Sequence, residues 1–75
     1  MHAYILIALE GANEQEVYDK MKKLKHVSDI HILFGEWDVL IEVDVASSEA
    51  LGDFVMKYIR SMPEVKLTST MVVAK

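Results

Sequence analysis

The chain has 75 residues, a net charge of −4 and 52% hydrophobic content, which describes one small domain with more apolar material than its own core can use. The acidic balance argues against direct nucleic-acid binding, and the lack of cysteine excludes disulfides and thiolate metal sites. No apolar run approaches the roughly 20 residues of a membrane span and no signal-peptide pattern is present, so no membrane contact is expected and the cytoplasm is the expected location.

The predicted elements follow in chain order. Residues 3–9, AYILIAL, are rich in β-formers and too short for a core helix, so they read as a strand that Gly11 ends. Asn13 has the chemistry of a helix N-cap, with Glu16 three residues on to complete a capping box. The helix is expected to run to about Leu24, with Val17, Met21 and Leu24 on one face. Residues 27–34 alternate Ile30, Ile32 and Phe34 against Asp29, His31 and Leu33, the period of a second strand. After the turn Gly35-Glu36-Trp37-Asp38 a third strand places Val39, Ile41, Val43 and Val45 on one side. Ser47 or Ser48 caps a second helix to about Arg60, with Leu51, Val55, Ile59 and Met62 on its apolar face. Pro63 stops that helix, and residues 64–74 supply the last strand.

The order βαββαβ is repeated weakly within the chain. A shift of 38 positions lays Val17 on Val55, Met21 on Ile59, Leu24 on Met62 and Val27 on Val65. Two βαβ halves in one antiparallel sheet predict an α+β, ferredoxin-like domain over residues 1–75, a four-stranded sheet with both helices on one face. Ile5, Ile7, Ile41, Val43, Val65, Leu67 and Val73 are expected to face the helices. The other side would hold Tyr4, Leu6, Ala8, His31, Leu33, Leu40, Thr68, Thr70 and Val72, with Glu42 and Asp44 toward one end or edge. Such a face is too apolar for water. We therefore expect a homodimer joined through Tyr4, Leu6, Ala8, His31, Leu33, Leu40 and Val72; the alternative is a half-wet sheet with scattered apolar side chains.

The strand–helix–strand start, FGEWDVLIEV, IRSMPEVKLTST and TSTMVV together resemble the ligand-binding (RAM) domain of the Lrp/AsnC feast/famine transcription regulators. The resemblance runs from Ala3 to Val73 and is most specific at Gly35, Trp37 and Asp38 and in the Thr/Ser run opening the last strand. Glu64 stands where that family more often has glycine. The helix-turn-helix that usually precedes such a domain is absent, so a stand-alone RAM domain is expected.

The turn has a structural and a functional reading. Gly35 can adopt the positive φ of a tight turn, Asp38 can accept local backbone N–H groups, and Trp37 can cover an edge. Alternatively, turn N–H groups cradle a carboxylate while an adjacent acid takes an ammonium group, the requirements of a free α-amino acid. The resemblance implies the second. It places an effector amino acid between two dimers, with Gly35, Glu36, Trp37 and Asp38 as one wall and Thr68, Ser69, Thr70 and Met71 of a neighbour as the other. It also implies assembly of four dimers into an octamer and a part in regulating amino-acid metabolism or transcription, either by assembling with itself or with full-length Lrp/AsnC regulators or by sensing or buffering an amino acid, and the sequence does not choose among these.

Other signals are weaker. Lys20, Lys22, Lys23 and Lys25 could touch phosphate but suit the C-terminal end of a helix dipole. His2, His26 and His31 lack metal-ligand spacing, so neither metal nor cofactor is expected. No Ser or Thr has a His/Asp relay. The rival reading is a small dimeric α+β-barrel enzyme, for which Tyr4, His31 and Glu42 are the available acid–base groups; the non-enzymatic module is preferred.

Overall fold

The structure is a computed structural model that describes residues 1–11 and 13–75. Strands β1 (His2–Leu9), β2 (Val27–Ile32), β3 (Val39–Asp44) and β4 (Val65–Val72) form one antiparallel sheet in the order β2-β3-β1-β4. Helix α1 (Glu14–Lys22) connects β1 to β2, and α2 (Ser48–Phe54), which continues as the π-helical segment Val55–Ile59, connects β3 to β4. This is the ferredoxin-like arrangement.

Local chemistry places the ends of the helices. Asn13 Oδ1 accepts from the backbone N–H groups of Gln15 and Glu16, and Ser47, rather than Ser48, caps α2 by accepting from Ala50. Glu16 pairs with Lys20 at 3.8 Å, one turn on. The first helix ends at Lys22, two residues before Leu24, which still packs against the core from the following turn.

Strict alternation fixes the central strands. Ala3, Ile5 and Ile7 of β1 and Val39, Ile41 and Val43 of β3 are fully buried, facing Val17 and Met21 of α1 and Leu51, Phe54, Val55 and Ile59 of the second helical unit. Burying a large aliphatic side chain contributes about 1.5–3 kcal/mol, so these central strands and the helices they face hold most of the stability.

In β4 the expected facing is overturned. Val65 pairs with Leu9 but Leu67 pairs with Ala8, so Lys66 is an extra residue in a β-bulge. One inserted residue moves every later side chain to the opposite face. Thr68, Thr70 and Val72 lie opposite Ile7, Ile5 and Ala3 on the helix side, whereas Leu67, Ser69 and Met71 share the open face with Ala8, Leu6 and Tyr4. Val72, and with it Thr68 and Thr70, is therefore removed from the expected dimer face, and Leu67 from the core. A matching slip between Val27 and Asp29 makes Ser28 the extra residue of β2.

The start of β4 is tied to α1 by Glu64. Its backbone carbonyl accepts from Glu10 N–H at 3.0 Å, and its Oε2 pairs with Lys20 Nζ at 2.7 Å. Its Oε1 is enclosed without a hydrogen-bond partner among the described residues. The hydrogen bond from Lys20, helped by the residue's own backbone amide, holds the Glu64 carboxyl below the usual glutamate range despite opposing desolvation. A carboxyl with a depressed folded-state pKa stabilises the fold above its unfolded pKa, and that stability is lost as pH falls through the folded value. Glu64→Gln should therefore lower the melting temperature at about pH 7 more than at about pH 3. Thermal melts of parent and variant across that range check this, and an equal difference at both ends would contradict it.

Candidate functional site

The connection from β2 to β3 spans residues 33–38 and is anchored at its two ends. Leu33 N–H donates to the Asp38 carbonyl at 2.8 Å, closing the turn on itself. Asp38 N–H donates to the Ile7 carbonyl at 2.9 Å. Asp38 Oδ2 accepts the Leu9 backbone N–H at 2.7 Å, at the point where the bulge disturbs the β1–β4 ladder. The carboxylate does bond a backbone N–H, but one 29 residues away rather than within the turn. Gly35 has φ +149°, a conformation that a side chain would strain. Trp37 and Asp38 are half-buried, Glu36 is exposed, and Phe34 stands fully in solvent with a relative exposure of 105%.

The expected second wall lies apart from this turn within one chain. Ile7 sits between the two, bonded to Asp38 on one side and paired with Thr68 on the other, a separation of two strand spacings or roughly 10 Å. Ser69, Thr70 and Met71 step further away, opposite Leu6, Ile5 and Tyr4. Gly35, Glu36, Trp37 and Asp38 are thus gathered at one end of the sheet, and Thr68–Met71 form a separate strip on its edge. Sequence reasoning missed a groove beside that strip, where Arg60 and Lys66 flank Val65, Leu67 and Thr68. Its signal was the lone lysine in the last strand, which marks the bulge.

The open sheet face divides into two regions. Leu6, Leu40, Ala8, Leu33 and Tyr4 are half-buried, and Leu67 and Met71 are exposed beside them. Toward the other end His2 Nε2 meets Glu42 Oε1 at 2.7 Å, and His31 Nε2 meets Asp29 Oδ2 at 3.2 Å. His31 and Glu42 therefore bond different partners, while Tyr4 stands opposite Glu42 in the β1–β3 ladder. The lysine cluster also disperses, since Lys20 pairs with Glu64 and Glu16 while Lys22 lies 5.7 Å from the centre of the Tyr18 ring. Among the described residues no group of three or more His, Asp or Glu is placed to hold a metal, and no helix is long and apolar enough to cross a membrane.

The Asp38 clamp generates a stability prediction. Removing the carboxylate leaves the Leu9 N–H without its acceptor, at a cost of about 1–3 kcal/mol. Asp38→Ala should lose that amount in urea unfolding, and an unchanged midpoint would show that another group satisfies Leu9.

Comparison with known proteins agrees with this architecture. Residues 2–75 match the family model of the Lrp/AsnC ligand binding domain. An uncharacterized HTH-type transcriptional regulator of Pyrococcus furiosus is 36% identical over 73 residues, covering 93% of this chain and 49% of that protein, and one of Pyrococcus abyssi is 34% identical over 73 residues with the same coverage. The chain thus spans about half the length of the curated relatives it matches. Among solved structures, FFRP-DM1 superposes with a TM-score of 0.91 at 32% identity, covering 96% of both chains. PHS023 of Pyrococcus horikoshii gives 0.88 at 31%, covering 99% of this chain and 90% of that one. The regulator NMB0573 of Neisseria meningitidis, solved as an L-Met complex, shares the fold at a TM-score of 0.90 and 24% identity, over 99% of this chain and 49% of that chain. The chain belongs to the Lrp/AsnC ligand-binding domain family.

Proposed function

We propose that this chain is an amino-acid-responsive assembly module acting in the cytoplasm, in the control of amino-acid metabolism or transcription. Two copies pack their open sheet faces together through Tyr4, Leu6, Ala8, His31, Leu33 and Leu40, with Leu67 and Met71 in the place expected for Val72. Four such dimers close into an octamer, alone or mixed with full-length Lrp/AsnC regulators. Each turn at Gly35–Asp38 then meets the Thr68–Met71 strip of a neighbour. The free amino acid lies between them, its ammonium group near Glu36 and Asp38 Oδ1 and its carboxylate on turn N–H groups. The family supports this reading, as does the L-Met complex of the Neisseria fold relative, though that ligand is a property of that protein.

One observation carries the assembly argument. Phe34 is wholly exposed on a turn that three hydrogen bonds hold in place. A large apolar side chain left wholly in water on a turn whose two ends are already anchored suits an interface anchor, because the backbone that presents it needs no further ordering on docking. A basic groove at Arg60 and Lys66, beside the Thr68–Met71 strip, complements the acidic turn in charge.

Sedimentation of the parent with each of the twenty amino acids tests the proposal. Ligand at about 100 times its dissociation constant stabilises the assembled state by about 2.7 kcal/mol per site, enough to shift a dimer–octamer distribution visibly. Phe34→Ser should keep the parent's melting temperature as a dimer yet lose the octamer. The proposal fails if no amino acid changes either assembly or melting temperature.

A further inference from the structure

The second helical unit holds a groove that the turn and the sheet face do not use. It lies between the loop that precedes β2 and the junction where α2 becomes π-helical. Ala50 and the buried Phe54 line its inner side. The rings of His26 and Tyr58 each lean on Phe54, at centroid distances of 5.3 and 5.6 Å. His26 is fixed from behind, because its carbonyl accepts Asp44 N–H at 3.1 Å. Tyr58 remains 45% exposed, so much of its ring is uncovered.

Asp53 and Lys57 complete the groove with one charge of each sign. They sit four apart on the helix, the spacing at which such residues commonly pair. Among the described residues, however, neither has an ion-pair partner. The π-helical turn starts at Val55, between these two charges, where Arg60 N–H donates to the Val55 carbonyl at 2.8 Å. Such widened turns are rarer and less favourable than α-helix and occur frequently at functional sites. Separated opposite charges beside an aromatic wall match a small molecule that carries an ammonium group, a carboxylate and a planar ring.

We propose that the groove formed by His26, Asp53, Phe54, Lys57 and Tyr58 is a second binding site, for a small aromatic zwitterion of the aromatic amino-acid class. The ligand's carboxylate meets Lys57 Nζ, its ammonium group meets Asp53, and its ring packs against Tyr58 and His26. The site lies on the helix side of the sheet, so it stays accessible when the open faces of two copies are joined. It does not depend on the proposal made for the turn.

Titration of 15N-labelled protein with L-tryptophan, followed by amide chemical shifts, tests this directly. Shifts should centre on residue 26 and residues 50–58, with a dissociation constant on the order of 1 mM, as suits a shallow site for a ligand of this size. Tyr58→Ala and Lys57→Glu should each weaken binding tenfold or more while the spectrum stays folded. N-acetyl-L-tryptophan amide, which carries neither charge, should not shift these residues. Shifts confined to residues 33–38 would overturn this site while supporting the turn. An unchanged affinity in both variants, or no shift on the helix at all, would also overturn it.

Discussion

One-sided burial of the sheet is the constraint on which the rest of the structure depends. The two central strands place Ala3, Ile5, Ile7, Val39, Ile41 and Val43 against the helices with no accessible surface left. Antiparallel pairing then fixes what remains for the other side, because side chains alternate strictly along each strand. Tyr4, Leu6, Ala8 and Leu40 have no place inside, and no helix among the described residues covers them. A domain of this size already leaves a large share of its surface in water. An apolar second face is therefore an unsatisfied surface, and a second copy of the same face is the simplest way to cover it.

The turn depends on the same sheet. Asp38 spans from the start of β3 to the end of β1, where its backbone and side chain bond Ile7 and Leu9. The β1–β3 ladder ends at the Ile7–Val39 pair, and the carboxylate supplies the acceptor that the Leu9 N–H needs just beyond it. Gly35 allows the chain to reverse, and Phe34 is left pointing into solvent. The acid that a ligand reading assigns to an ammonium group is thus first a structural acid, with one oxygen already engaged. Glu36, exposed beside it, is the freer negative charge.

Much of this was legible in the sequence because the two halves repeat. Period and capping residues placed all four strands and both helices, and the aliphatic alternation of β1 and β3 gave the core without ambiguity. Strict alternation carried through Lys66 gives the opposite facing of β4, because the pattern of residue types alone does not reveal the bulge. The repeat itself held the remedy: a shift of 38 lays Ser28 on Lys66 and Ile30 on Thr68, and both halves carry the extra residue at the equivalent place. The π-helical turn left no such sign, since Val55–Ile59 continues the apolar spacing of the helix before it and nothing in its residues marks a widened turn. The reach of Asp38 to Leu9 was equally hidden, because a contact 29 residues apart is a product of topology and not of local pattern. The groove at His26 and Tyr58 draws on two segments that meet only in the folded chain.

The central claim is that the open sheet face is covered by a second copy. The particle mass in solution, measured by native mass spectrometry or light scattering at micromolar concentration, tests it most directly. The account predicts even multiples of the 8.5 kDa chain, with the dimer as the smallest abundant species. A protein that remains a folded 8.5 kDa monomer across that range, with Leu6, Leu40 and Met71 left in water, would contradict it.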